Sequence, residues 1–257
     1  MYRKPCGLLA FILAFLLLAG CGSGHVTQQI PDIPRNKRAL SDFGTDAKGR
    51  PTYPGAVLGV DVSSHQGDID WKRVRADGVE FAILRIGFRG NTAGSLNMDE
   101  AFAGNYVEAR NAGLRVGAYF FSQAISEQEA REEAAYTLRL LDGVPLELPV
   151  FFDWEEAAEG RTGGKASSEV GGYAAAFCQT LTEGGYRAGV YFNQRYGYSI
   201  MHLENLLDHA FWIAEYADCQ SFSFRTELWQ FTGSGHVDGI DTIVDMDLLY
   251  QSEEENE

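Results

Sequence analysis

The sequence predicts an α/β fold, a modified TIM-like barrel with about eight strands and about five helices. From residue 57 onward, short apolar runs alternate with amphipathic stretches of helical length. Repeated β-α-β units of this kind form a parallel sheet. After the fifth unit come three more strand-like runs, joined by connections too short to hold a helix. Eight strands are enough to close a barrel, so we expect a barrel whose last three strands lack intervening helices.

The strands are predicted from apolar runs bounded by turn residues. The first five are VLGVDVS (57–63), EFAILRIG (80–87), RVGAYFFSQ (115–123), LPVFFDWE (148–155) and RAGVYFN (187–193). The last three are HAFWIAEY (209–216), FRTELWQFT (224–232) and IDTIVDMDLLY (240–250).

The helices are predicted between the first five strands and once after the fifth. The four helical stretches between those strands end at Gly78, Gly113, Gly143 and Gly184. Glycine favours such positions because it adopts the left-handed conformation that ends a helix. Ser126 and Glu129 predict a capping box at the start of the third helix. A fifth helix is predicted over residues 199–209.

The first residues predict export. A positive segment with Arg3 and Lys4 precedes an apolar run, residues 8–18, that is too short for a comfortable membrane span. The residues LAGC at 18–21 resemble the lipobox of bacterial lipoproteins. The resemblance implies a signal peptide over residues 1–20 and a lipid on Cys21; an uncleaved anchor is the alternative. Either way we expect the rest of the chain to be extracytoplasmic; in the lipoprotein reading the lipid anchors it to the bacterial cell membrane and is its only membrane contact.

The remaining chain divides into three parts. Residues 21–56 are rich in Gly, Pro, Asn, Asp and Lys, which predicts a flexible tether. Residues 57–250 form the predicted barrel domain, and residues 251–257 form an acidic tail. Cys178 and Cys219 lie within the domain and permit a disulfide, although the helical pattern around Cys178 favours a small buried side chain.

The charge balance excludes two classes of partner. The formal net charge is −15 over 257 residues, so the surface would repel nucleic acid and anionic lipid headgroups. No CxxC pair or histidine-rich cluster indicates a structural metal. We expect no metal, no cofactor and a monomer.

The stretch PVFFDWEEAAEG, residues 149–160, contains the first candidate site. Side chains two residues apart on a strand share a face, so Asp153 and Glu155 are neighbours while Trp154 points outward to pack against helices. Two carboxylates this close disfavour ionising together, and the pKa of one of them rises. A pair that is unfavourable for stability is a candidate functional site.

Other polar residues end the remaining strands, and in βα barrels the chemistry gathers at that end. They are Asp61, Ser63, Gln123, Asn193, Glu215, Gln230, Asp245 and Asp247. Asp61 has an alternative reading as a turn or cap residue, and Asp241 and Asp247 are alternatives to Asp245. Aromatic residues accompany the acids, which favours a sugar over a hard metal ion. We predict that Tyr119, Tyr191, Trp212, Tyr216 and Gln230 bind substrate.

Several stretches, in order and spacing, resemble glycoside hydrolase family 25, the muramidases often called Chalaropsis-type lysozymes. They are GVDVSSHQGDIDWKRVRADGVEFAILRIGFRG, RVGAYFFSQAIS, LPVFFDWE, AGVYFNQ, FWIAEY and ELWQFTGSGHVDGIDTIVDMDLLY. The resemblance covers residues 57–250 and implies a barrel of five helices and eight strands, in agreement with the count above. It implies cleavage of the β-1,4 bond from N-acetylmuramic acid to N-acetylglucosamine in peptidoglycan.

The resemblance also implies roles for four acids. Glu155 is the general acid, Asp153 assists, and Asp61 and Asp245 complete the site. Asp153 would act either as a nucleophile or by orienting the substrate's acetamido group, and the spacing favours the second. The chain departs from the family pattern at RIGFRG, residues 85–90, which lacks an acid, and at Asp247, which replaces an asparagine.

Two other functions remain open. A lipoprotein that binds glycan without cutting it could use the same fold, because a fold does not fix chemistry. A metal-dependent amidase or deacetylase acting on the same wall would be sensitive to chelators.

Overall fold

The structure, a computed structural model, describes residues 32–250, and within them eight strands close into a barrel. The strands are β1 (Val57–Val62), β2 (Phe81–Arg89), β3 (Arg115–Ser122), β4 (Val150–Trp154), β5 (Ala188–Asn193), β6 (Ala210–Ala214), β7 (Leu228–Gly235) and β8 (Val244–Leu249). A short strand, Leu96–Met98, pairs antiparallel with the end of β2. The fold class predicted from the sequence is confirmed.

The direction of the last strand brings its beginning to the site. Strands β1 to β7 are parallel, while β8 runs antiparallel between β7 and β1, and pairing of β1 with β2 closes the barrel. Asp245 therefore pairs with Asp61 near the carboxyl end of β1, although it stands at the start of its own strand. The carboxyl ends of seven strands and the start of the eighth meet at one end of the barrel.

Alternation along the strands separates two apolar clusters. The interior of the barrel contains Phe81, Ile83, Leu148, Phe151, Tyr191, Ala210, Trp212, Leu228 and Leu249. The larger cluster lies between the barrel and its helices, and Phe152 and Trp154 belong to it. Because Phe151 points inward and its neighbours point outward, the next inward position on β4 is Asp153. The prediction that Trp154 packs outward is confirmed.

Five helices cover the barrel in the described part of the chain. They are α1 (Trp71–Ala76), α2 (Phe102–Asn111), α3 (Glu127–Leu141), α4 (Glu169–Glu183) and α5 (Gln194–Ser199). The fifth was predicted over residues 199–209, and that position is wrong. The Asn193 side chain accepts a hydrogen bond from the Tyr196 N–H at 3.0 Å, so the helix begins directly after β5. His202 then adopts a left-handed conformation, with φ of 48°, and only a short 3-10 turn follows (Leu203–Asn205).

Three of the four glycines predicted to end helices have the expected left-handed conformation, and at the fourth helix the next residue has it. Gly78, Gly113 and Gly143 have φ of 98°, 85° and 80°, as helix-ending glycines do. At the fourth helix the left-handed residue is Gly185 and not Gly184. The predicted capping box forms only in part: the Ser126 hydroxyl accepts from the Glu129 N–H at 3.2 Å, while Glu129 Oε2 accepts from the N–H of residue 125.

Residues 32–56 lie against the barrel. They contain a 3-10 turn (Leu40–Asp42) and a two-stranded ribbon, and the Phe43 ring meets Trp229 edge-on at 5.5 Å. Tyr53 meets Tyr250 in the same way at 5.6 Å. The expected tether therefore does not extend over residues 32–56, because their aromatic side chains pack on the domain. The predicted signal peptide, the lipidated Cys21, residues 21–31 and the acidic tail lie outside the described residues.

The described residues contain neither a membrane-spanning helix nor a disulfide. No helix within residues 32–250 has both the length and the hydropathy needed to span a bilayer. In the same part of the chain Cys178 and Cys219 are both free thiols, and Cys178 lies on the buried face of α4, as its helical pattern suggested.

A buried ion pair joins the end of β2 to α3. Arg89 Nε donates to Glu133 Oε1 at 2.6 Å, and the Ser122 hydroxyl donates to Glu133 Oε2 at 2.6 Å. The side chains of Arg89 and Glu133 are 5% and 0% exposed. Burial raises the pKa of Glu133 to about 7, although Ser122 and Arg89 act in the opposite direction.

We expect Glu133→Ala to destabilise the fold. The substitution leaves the Arg89 guanidinium buried without its carboxylate, which costs about 3–5 kcal/mol of unfolding free energy in comparable pairs. Urea denaturation at pH 8, above the pKa of Glu133, measures the change. Glu132→Ala is the matched control, because that carboxylate is 3.6 Å from Arg89 and its side chain is 48% exposed. An equal loss in both variants would contradict the assignment.

Candidate active site

One cavity of about 360 Å³ lies at the barrel end where the polar strand ends meet. All nine of the predicted catalytic and substrate-binding residues line it: Asp61, Tyr119, Asp153, Glu155, Tyr191, Trp212, Tyr216, Gln230 and Asp245. They come from β1, β3, β4, β5, β6, β7, β8 and the segments that follow β4 and β6. Residues far apart in the sequence thus share one concave surface.

Asp153 is the buried member of the pair on β4. Its side chain lies at the last inward position of the strand, and the residue is 7% exposed. Burial raises its pKa well above the usual range, the nearby charge of Glu155 raises it further, and the Arg85 guanidinium opposes both. Among the described residues its Oδ1 has no hydrogen-bond partner. A buried carboxyl oxygen facing a cavity is available to a ligand.

Glu155 stands just beyond the strand, and its carboxyl group is free to contact a ligand. The residue is open to solvent at the mouth, and its carboxylate makes no hydrogen bond within residues 32–250. Its backbone is fixed, because Gln123 Nε2 donates to the Glu155 carbonyl oxygen at 2.8 Å and the Thr162 hydroxyl lies 3.2 Å from the same oxygen. Loss of hydration in the concave mouth raises the pKa of Glu155, and the charge of Asp245 raises it further.

A hydrogen-bonded group centred on Gln230 holds the opposite wall. Gln230 Nε2 donates to Asp61 Oδ2 at 2.8 Å, while Gln230 Oε1 accepts from Tyr191 at 2.9 Å and from Tyr216 at 3.1 Å. Burial raises the pKa of Asp61 well above its usual range, and the charges of Asp247 and Asp245 act in the same direction. The amide therefore orients one carboxyl group and two phenol rings at once.

The aromatic residues divide into a floor and a platform. Trp212 is 1% exposed and lies 4.8 Å from the Tyr191 ring and 6.2 Å from the Tyr119 ring, so it forms the floor. Tyr216 is 64% exposed beside the opening, and its ring is available for a flat C–H face to stack on.

Asp241, Asp245 and Asp247 were the alternative candidates in and before the last strand, and they occupy different places. Asp245 is half-buried and lines the cavity, whereas Asp241 is exposed on the preceding loop. Asp247 pairs with Gly59, deeper in the barrel, and its Oδ1 accepts from Trp212 Nε1 at 2.8 Å. Burial raises the pKa of Asp247 to about 8.

Other strand-end residues support the cavity without lining it. Gln123 is buried beside Glu155, Asn193 caps α5, and the Glu215 carboxylate accepts from the N–H groups of residues 221 and 222.

Sequence reasoning missed Arg85, which lines the cavity. Its Nε donates to Asp99 Oδ2 at 2.7 Å. The signal was present in β2, where Phe81 and Ile83 point inward and the next inward position is Arg85.

The chain is similar to known proteins in sequence and in fold. Residues 60–240 match the family model of Glycosyl hydrolases family 25. The autolytic lysozyme of Clostridium acetobutylicum is 27% identical over 196 residues, covering 74% of this chain and 55% of that protein. The chain thus spans about half the length of this relative.

Two solved structures share the fold. The bacterial lysozyme from Streptomyces coelicolor has a TM-score of 0.63 at 23% identity, covering 77% of this chain and 94% of that one. The modular autolysin LytC from Streptococcus pneumoniae, in complex with a synthetic peptidoglycan ligand, has a TM-score of 0.67 at 22% identity, covering 85% and 52%. With the family model matched over most of the barrel, the chain belongs to glycoside hydrolase family 25.

Proposed function

We propose that the barrel domain is a muramidase that hydrolyses the β-1,4 bond between N-acetylmuramic acid and N-acetylglucosamine in peptidoglycan. The observation that carries the proposal is the meeting of Asp61, Asp153, Glu155 and Asp245 in one cavity, where their pKa values are all raised. Family membership, the lysozyme relative and the peptidoglycan ligand of LytC support it.

Glu155 is the general acid in this proposal. To protonate the leaving glycosidic oxygen it must carry a proton at rest, and the raised pKa increases the fraction that does. Its carboxyl group has no internal partner and stands at the open side of the cavity, where a glycosidic oxygen can approach. Because the Glu155 backbone is held by hydrogen bonds, its carboxyl group has a limited range of positions.

Asp153 assists the bond cleavage from beneath. In the scheme we favour, the acetamido oxygen of the substrate attacks the anomeric carbon while Glu155 gives its proton to the leaving oxygen. The unpartnered Oδ1 of Asp153 accepts from the acetamido N–H and so orients the attacking oxygen. Water then opens the cyclic intermediate, and Glu155 takes back a proton. In the alternative, Asp153 is itself the nucleophile of a retaining mechanism.

Asp245, half-buried at the mouth, supplies negative charge near the reacting carbon. Positive charge develops at the anomeric centre in the transition state, and preorganised anions stabilise it. Asp61 is held by Gln230, and Asp245 pairs with it across the β1–β8 ladder. Tyr216, held by Gln230, offers a stacking surface for the sugar.

The purified domain, incubated with peptidoglycan, tests the proposal. We expect new reducing ends on muramic acid, identified by mass spectrometry of the soluble products, and no loss of activity with a chelator. Binding to the wall without release of reducing ends would favour the glycan-binding alternative. Release of free peptides, stopped by a chelator, would indicate an amidase.

The pH profile of kcat gives a second test. Because the charge of Asp245 helps to raise the pKa of Glu155, Asp245→Asn should lower that pKa. Activity requires protonated Glu155 and is lost as pH rises through its pKa, so the alkaline limb should move to lower pH. Asp241→Asn, on the exposed loop outside the cavity, is the matched control and should leave the limb in place. An unmoved limb in Asp245→Asn would show that another group sets it.

A further inference from the structure

A second cavity, of about 500 Å³, adjoins the catalytic one. We call it the side cavity; the end of β2, the loop after it and the Leu96–Met98 strand build most of its wall. His65, Arg85 and Phe121 line both cavities, so the two share a boundary. A ligand with a branch at the reacting sugar could fill both at once, whereas an unbranched chain has no group to place in the second.

Arg85 lies at this boundary, and one of its guanidinium nitrogens is available to bind a ligand. Its Nε donates to Asp99 Oδ2 at 2.7 Å and its Nη2 to the Ser64 hydroxyl at 3.2 Å, which fixes the plane of the guanidinium. Within residues 32–250 its Nη1 makes no hydrogen bond, and it is not sealed from solvent. The group therefore presents an N–H donor where the two cavities meet.

The charges around the side cavity favour a mostly neutral occupant. Asp99 is compensated, because its carboxylate accepts from Arg85 and from the N–H groups of residues 64 and 101. Arg89 is compensated by buried Glu133. Glu100 adds an exposed negative charge, which disfavours a polyanion.

The rest of the wall mixes apolar and amide groups, as a short peptide requires. Phe88, Phe121 and Met98 are apolar, and Met98 is 52% exposed. Asn97 donates its amide N–H to the Ser95 carbonyl, which leaves its Oδ1 as an acceptor, and Asn91 adds another side-chain amide. Peptide groups need such donors and acceptors, and small apolar side chains need the rings.

We propose that the side cavity binds the lactyl-peptide branch of muramic acid, and that Arg85 Nη1 donates to the lactyl carbonyl oxygen. This inference rests on the proposed muramidase function. Of the two sugars in the proposed substrate, only muramic acid carries a branch, a lactyl ether whose carboxyl group bears the peptide. The oxygen acceptor is an amide carbonyl in peptide-bearing glycan and a free carboxylate in glycan stripped of peptide.

Three soluble substrates separate these sources: glycan strands with peptide stems, strands stripped by an amidase, and chitin oligosaccharides, which lack the lactyl group. For the wild-type enzyme we expect kcat/KM on peptide-bearing strands to exceed that on stripped strands about tenfold, through a lower KM, as one added set of contacts of about 1.4 kcal/mol gives. Met98→Trp, which places a bulkier side chain in the wall of the side cavity, should lower this ratio toward one. Val107→Trp, on an exposed position of α2 that lines neither cavity, should keep the ratio.

Arg85→Met separates a binding role from an electrostatic one. Because Arg85 lowers the pKa of Asp153, its loss should affect every substrate, but the loss in kcat/KM should be larger for both lactyl-bearing glycans than for chitin oligosaccharides. Equal losses on all three would overturn the assignment of Arg85. A wild-type ratio of one would overturn the peptide site while the muramidase function stands. Failure of the wild-type enzyme to release reducing ends from any glycan would overturn both.

Discussion

Replacing Glu155 with glutamine is expected to lower kcat on peptidoglycan by about 10²- to 10⁴-fold, the range that a positioned general acid contributes. The amide has the shape of the acid but cannot give a proton to the leaving oxygen. Stability should hardly change, because the Glu155 carboxylate has no hydrogen-bond partner within residues 32–250 to lose. Removing one of several crowded acids also relieves repulsion in the cavity.

Glu156→Gln is the matched control for this variant. Glu156 is the next residue, its Oε1 accepts from the N–H of residue 164 at 2.8 Å, and it does not line the catalytic cavity. Its kcat should stay close to that of the wild type. Thermal melting and pelleting with insoluble peptidoglycan should show a folded Glu155→Gln protein that still binds. A large fall in melting temperature would identify Glu155 as a structural residue instead.

The second large effect concerns the acetamido group of the substrate. If its oxygen attacks the anomeric carbon, the wild-type enzyme should cleave glycan with N-deacetylated muramic acid at least about 10³-fold more slowly, since an intramolecular attacking group supplies a large effective molarity. Asp153→Asn should lower kcat on acetylated glycan by about 10²-fold or more. Added azide should not restore the rate, because no nucleophilic carboxylate has been removed.

A nucleophilic Asp153 would give a different result. Rescue of Asp153→Asn by azide, with a muramyl azide among the products, would falsify the acetamido scheme and make Asp153 the nucleophile. The variant should remain folded, because asparagine replaces a buried carboxyl group whose Oδ1 has no partner. Circular dichroism and melting temperature are the checks, with Asp241→Asn as a control on an exposed acid.

Much of the site follows from period-two alternation. The inward position of Phe151 fixes that of Asp153, and the same alternation places Trp154 in the helix layer. The number of strands follows as well, because apolar runs and turn residues are local features. The convergence of the four acids required one assumption beyond local pattern, that the strands close into a barrel.

The features that sequence reasoning missed depend on contacts between distant segments. Aromatic residues in residues 32–56 pack on Trp229 and Tyr250, which no local composition reveals. Arg85 follows the inward alternation of β2, yet a cation in an acidic mouth was not anticipated. Glu133 reads as one more acid on a charged helix, and only the structure pairs it with buried Arg89. The raised pKa of Asp247 likewise depends on its burial inside the barrel, where its carboxylate accepts from Trp212 Nε1.

The antiparallel direction of β8 also determines which end of the barrel is suited to immobilisation. Because β8 runs antiparallel to β1, Val57 and Leu249 are paired neighbours, and both stand at the barrel end opposite the cavity. The first residue of β1 and the last residue of β8 therefore lie together at the end of the barrel away from the cavity. A solid support coupled beside Val57 and Leu249 would leave the mouth of the cavity exposed to a large, insoluble polymer.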